Sequence, residues 1–123
     1  MNYYFYAILF ILLAWFLFKQ FAPVKGLRNL NIEQFKKEYK GQRLIDVREV
    51  HEFKQGHLPG AVNIPLSQIH RRLGEIPKES PVYLYCRSGM RSKQAGRILS
   101  RSGYRNVAHL NGGITAWDGP LTK

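Results

Sequence analysis

Cys86 is the single cysteine of the 123-residue chain, and it stands where a sulfur could react. It follows an apolar run, Pro81-Val82-Tyr83-Leu84-Tyr85, and opens the turn Cys86-Arg87-Ser88-Gly89-Met90-Arg91. A helix-like stretch begins near Ser92. A thiol between a strand and a helix N-terminus meets converging backbone N–H groups and the positive end of the helix dipole. That setting favours a thiolate, the form in which sulfur is a nucleophile. Gly89 can adopt positive φ, which lets the turn curl with its N–H groups inward. Arg91 offers a fork of donors suited to an oxyanion, Arg87 adds charge of the same sign, and Ser92 is placed to cap the helix that follows. An anion held in this turn would rest against the sulfur.

The elements that must carry the turn alternate in type. Asn31 caps an expected helix over Ile32 to Tyr39, with Ile32, Phe35 and Tyr39 on one face. Arg43 to Val47 reads as a buried strand, Glu49 to Lys54 as a short helix, and Ala61 to Ile64 as a second strand stopped by Pro65. Ser67 caps a further helix to Leu73. Val82 to Tyr85 is the third strand, Ser92 to Ser102 a helix closed by Gly103, and Asn106 to Leu110 the fourth strand. Asn111-Gly112-Gly113 then turns into a last short helix at Ile114 to Trp117. Strands alternating with helices predict an α/β domain with a mainly parallel central sheet flanked by helices, and ligands then bind beyond the C-terminal strand ends. Cys86 lies at such an end.

The chain is two bodies. Met1 to Phe18 carry no charged side chain, and all 19 basic and 8 acidic residues lie from Lys19 onward. Eighteen uncharged residues at helical rise cover about 27 Å, close to a thin hydrocarbon core. Tyr3, Tyr4 and Tyr6 at one end and Trp15 at the other resemble interfacial belts. The expected organisation is a single transmembrane anchor over 1–22, a linker over 23–29, a globular domain over 30–119 and a tail over 120–123. A cleaved signal peptide fits poorly, since neither a basic leading region nor a small-x-small cleavage site is present. Lys19, Lys25 and Arg28 follow the apolar segment, which predicts a single-pass protein of the cell membrane with its domain in the cytoplasm. The net charge of +11 agrees with an anionic membrane surface or an anionic substrate. Nucleic acid is not expected as a partner, because no groove-reading helix or stacking motif accompanies the charge.

One cysteine excludes an intrachain disulfide and thiolate-rich zinc sites. His51, His57, His70 and His109 show no metal-ligand spacing, so no metal is expected. His57, before Leu58-Pro59-Gly60, reads as fixing a turn by hydrogen bonding. Asp46, at a strand end near arginines, reads as a brace.

Cys86-Arg87-Ser88-Gly89-Met90-Arg91-Ser92 resembles the active-site loop of the rhodanese (thiosulfate sulfurtransferase) family. Asp46-Val47-Arg48-Glu49 resembles that family's Asp-x-Arg element. Phe53 to Ile64 resembles its signature around a His-(Ile/Leu)-Pro-Gly-Ala core, and Leu110 to Trp117 its C-terminal motif. The resemblance covers about Leu30 to Trp117 and leaves out the apolar N-terminus. It implies that Cys86 accepts a sulfane sulfur as a persulfide and that Arg87, Ser88, Gly89, Met90 and Arg91 form the substrate loop. It implies that Asp46 and Arg48 support the loop, with no metal or organic cofactor. The reaction implied moves sulfur from a small anionic donor such as thiosulfate to cyanide or a thiol, free or on a protein. Cdc25-type phosphatases and arsenate reductases are similar in fold but have a loop one residue longer. The six-residue loop favours sulfur transfer over that alternative. A second alternative is a persulfide carrier or interaction module without turnover.

Overall fold

The computed structural model describes residues 2–123. Met1, the first residue of the expected anchor, lies outside the described residues. An N-terminal helix, α1 (Tyr3–Phe21), precedes an α/β domain. That domain is built from β1 (Leu27–Leu30), α2 (Ile32–Glu38), β2 (Arg43–Asp46), α3 (Val50–Gln55), β3 (Val62–Asn63), β4 (Val82–Tyr85), α4 (Met90–Arg101) and β5 (Val107–Leu110). Three short 3-10 helices, Leu66–Gln68, His70–Glu75 and Gly113–Ala116, complete it.

The five strands form one sheet in the order β1-β5-β4-β2-β3, and every pairing is parallel. β4 is the central strand, and all four of its residues are buried. Val82 and Leu84 face one apolar cluster with Ile45, Ala95, Leu99 and Val107. Tyr83 and Tyr85 face another with Phe35, Leu44, Leu58 and Leu110. Alternation on a strand covered from both sides yields a continuous apolar run, as expected of a parallel sheet. Cys86 leaves this strand at mid-sheet, where ligand sites of open α/β sheets lie.

Several local expectations hold for identifiable reasons. Asn31 caps α2, and Gln34 returns the bond to the Asn31 N–H in a capping box. Phe35 stacks on Tyr39, which meets Trp117 edge-on. Three others need correction. The stretch 23–29 is not all linker: Leu27 begins β1, which has four residues and pairs with β5 along its full length. So short an edge strand, with Arg28 and Asn29 exposed, lacks an apolar signature. The expected helix from Ser67 to Leu73 is a pair of 3-10 turns without a side-chain cap, kinked at Arg72. The last helix is likewise 3-10 and begins at Gly113.

The N-terminal expectation is met only in part. Tyr3–Phe21 is helical, and its side chains from Tyr3 to Lys19 are exposed. No helix among the described residues is long and apolar enough to cross a membrane, so the transmembrane reading finds no support there.

Candidate active site

The site is built outward from one sulfur. Cys86 is fully buried. The chain turns back at Gly89, φ +105°, and the Gly89 N–H donates to Cys86 Sγ at 3.0 Å. A side chain at Gly89 would be strained by that φ and would press on the Gly112 nitrogen at 3.3 Å. Because Gly89 turns so sharply, α4 starts at Met90, two residues before the expected start. Ser92 is therefore not a cap. It sits inside the first turn, where its hydroxyl is 3.2 Å from the Gly89 carbonyl oxygen. Its Oγ also accepts from the Cys86 thiol at 3.6 Å and lies 2.8 Å from His109 Nδ1.

One flank of the loop is ionic. Arg91 donates both terminal nitrogens to Glu52 on α3, at 2.7 and 3.0 Å. The Arg91 bond holds the Glu52 carboxyl at about 2, well below the usual carboxylate range, although partial burial opposes this. Arg91, expected to offer its fork to a substrate, is thus engaged in tying the loop to α3. Beneath it, Arg48 binds Asp46 through three side-chain bonds of 2.7 to 3.0 Å and reaches the Gly56 carbonyl at 2.7 Å. Burial works against the Arg48 charge, but Asp46 outweighs it and holds the guanidinium above its ordinary value. Asn63 donates to the backbone carbonyls of Asp46 and Arg48, each at 2.9 Å. The Tyr85 hydroxyl accepts from the Leu58 N–H at 3.0 Å, and burial pushes its pKa up.

The other flank is neutral and close-packed. Gly113, at φ +60°, lies under the loop. The Ile114 N–H donates to the Cys86 carbonyl at 2.8 Å and the Thr115 N–H to the Arg87 carbonyl at 3.1 Å. A Cβ at Gly113 would stand 2.5 Å from the backbone atoms of Cys86 and Arg87, too near for any side chain. Gly112-Gly113, read from sequence as a turn, is also the floor of the loop.

Comparison with known proteins identifies the domain. The rhodanese-like domain family matches residues 31–119. The chain belongs to the rhodanese-like family. It is 43% identical over 95 residues to the uncharacterized protein YqhL of Bacillus subtilis, covering 77% of this chain and 75% of that one. It is 47% identical over 74 residues to a sulfurtransferase of Allochromatium vinosum, covering 60% and 69%. A rhodanese-related protein from Thermoplasma volcanium superposes with a TM-score of 0.72 at 26% identity, covering 77% of this chain and 97% of that structure.

The remaining expected residues of this rhodanese-like site fall in two places. Arg87, Ser88 and Met90 are exposed at the rim of the loop. His57 lies at the end of α3, where Nδ1 is 2.9 Å from the Phe53 carbonyl and its ring stacks on Phe53. Its backbone pairs with Thr122. The arrangement equips one thiol to attack an electrophile and hold the product beside a fixed N–H donor. Sequence reading missed Glu52 and His109 as parts of the site. Glu52 left only a weak trace, the Glu49-x-x-Glu52 spacing of the capping box at α3. His109 left none, because its contact to Ser92 joins residues seventeen apart on two different elements.

Proposed function

We propose that this protein is a sulfurtransferase working through a persulfide on Cys86. The observation that carries the reading is the Gly89 N–H donated to Cys86 Sγ at 3.0 Å inside a six-residue loop. The Cys86 thiolate attacks the outer sulfur of a thiosulfate-like donor. A sulfur–sulfur bond forms, the donor's own breaks, and sulfite leaves with the electron pair. Cyanide or a thiolate then takes the outer sulfur and returns the thiolate to Cys86. Arg87 at the rim attracts the donor, Arg91 and Glu52 hold the loop, and Asp46, Arg48 and His57 support the ends of β2 and α3. The test is mass spectrometry after exposure to thiosulfate, together with the thiosulfate–cyanide assay. One added sulfur atom on Cys86 is expected, with turnover that Cys86→Ser abolishes. Hydrolysis of an aryl phosphate faster than consumption of thiosulfate would replace this reading with the phosphatase one. Persulfide without turnover would mark a carrier.

We further propose that α1 attaches the protein to the cell membrane, with residues 30–119 in the cytoplasm. Side chains such as Phe10, 72% exposed, and Ile11, 63% exposed, would otherwise face water around the whole helix. Lys19, Lys25 and Arg28 lie on the side expected to stay inside. Extraction of the full chain by detergent but not by alkaline carbonate, with the domain protected from protease in intact cells, is the expected outcome. Carbonate release would remove the anchor, and digestion from outside would reverse the topology.

A further inference from the structure

His109 is a buried titratable group that the reaction above does not use. It sits on β5 between Asn29 of β1 and Leu84 of β4, both uncharged. Its Nδ1 is 2.8 Å from Ser92 Oγ, and that oxygen is 3.6 Å from Cys86 Sγ. The ring also lines a cavity of about 280 Å³ on the far side of the loop from α3, shared with Asn29, Lys93, Arg97 and Asn111. Three hydrogen-bonding groups therefore run in sequence from a fully buried sulfur to a cavity whose mixed lining includes these polar side chains. Cys86 must lose a proton before it can attack, and its burial keeps bulk water from taking it directly.

We propose that Ser92 and His109 form a relay that carries the Cys86 thiol proton to this cavity, so that His109 is a positioning residue for the nucleophile. It rests on Cys86 being the nucleophile, but not on which donor it attacks. The step balances without an extra acid or base. The sulfur proton passes to Ser92 Oγ. The Ser92 hydroxyl, which donates to the Gly89 carbonyl at 3.2 Å, turns to His109 and passes its proton to Nδ1. His109, starting as the Nε2–H tautomer, releases that proton to cavity water. The imidazole ends neutral, as it began, with its proton on Nδ1. Ser92 O–H now donates to the thiolate and His109 N–H to Ser92, so the relay also holds the charge it has created. Reversal reprotonates the thiol.

The surroundings suit a ring that changes tautomer rather than charge. Burial, and next the positive charge of Lys93, push the His109 pKa down to about 4. Lys93 and Arg97 are the charged groups of α4 on this cavity, and the Lys93 charge opposes an imidazolium. A histidine meant to store a proton would need an acidic partner, and among the described residues none lines the cavity.

The experiment uses the full chain. Nitrogen NMR of the labelled histidines follows the His109 tautomer while Cys86 is titrated. A change from Nε2–H to Nδ1–H is expected, absent in Cys86→Ser and in Ser92→Ala. Iodoacetamide labelling of Cys86 is then measured against pH. His109→Phe is expected to slow labelling about tenfold at neutral pH, equivalent to a profile displaced upward by about one pH unit. Ser92→Ala should do the same, and the double variant should be no slower than Ser92→Ala alone. His109→Asn, which keeps a polar atom near Nδ1 but has no second ring nitrogen, serves if the phenylalanine variant does not fold. It should label slowly too. A fixed tautomer through the titration, wild-type labelling in the His109 variants, or additive losses in the double variant would each overturn the relay. Labelling needs no sulfur donor, so inactivity toward thiosulfate would strike the proposed function and leave the relay standing.

Discussion

On the α3 side of the Cys86 loop the contacts are ionic, and on the β5 side they are neutral. Arg91–Glu52 and Arg48–Asp46 supply the first. Ser92, His109 and the floor at Gly113 supply the second. The two flanks hold one loop by different physics. An ion pair fixes direction through a fork of bonds while tolerating small displacements. Close packing of backbone on backbone tolerates almost none. The ionic flank therefore sets where the loop is anchored, and the neutral flank sets how near its groups come to the sulfur.

Breaking the ionic flank at its base should have the largest effect. Asp46→Ala leaves the Arg48 guanidinium buried without its carboxylate, a change that costs about 3–5 kcal/mol in comparable settings. Urea unfolding should show a loss of that size, and a loss under ~1 kcal/mol would mean that Gly56 and water suffice for Arg48.

Gly113→Ala tests the neutral flank. The methyl would collide with the Cys86 and Arg87 backbone at 2.5 Å. Overpacking of this kind costs about 1–3 kcal/mol. A displacement of the loop near 1 Å can lower turnover on the order of 100-fold. Turnover falling in proportion to the folded fraction alone would show that the floor does not position the loop.

The smallest effects separate the flanks by pH. Glu52 is depressed from 4.5 to about 2 when folded, so its contribution is complete above pH 4.5 and is lost as pH falls toward 2. His109 is depressed from 6.5 to about 4, so the unfolded chain binds a proton first and stability declines as pH falls from 6.5 to 4. Thermal unfolding against pH should show both declines. His109→Asn should flatten the upper one and Glu52→Gln the lower one. If either variant flattened both, the flanks would be one coupled unit.

The loop that holds Cys86 is legible in the sequence because it is local. Cys86, Gly89 and the following helix are neighbours along the chain, and the apolar run before them can only be a buried strand. Asn31 and Gln34 make their capping box within four residues. Asp46 and Arg48 meet two residues apart. Strand β1 leaves no local mark because its partner is β5, some eighty residues away, and pairing rather than composition makes it a strand. Ser92 lost its expected capping role because the positive φ of Gly89 moved the start of α4 by two residues. The local spacing offers the Arg91 fork to an oxyanion, whereas Glu52, thirty-nine residues earlier, comes beside it only once α3 packs against the loop. Spacing along the chain reports groups held by their own turn of backbone. Which charge neutralises which, and which histidine touches the nucleophile's neighbour, depends on the burial of whole elements against one another, and only the tertiary structure decides that.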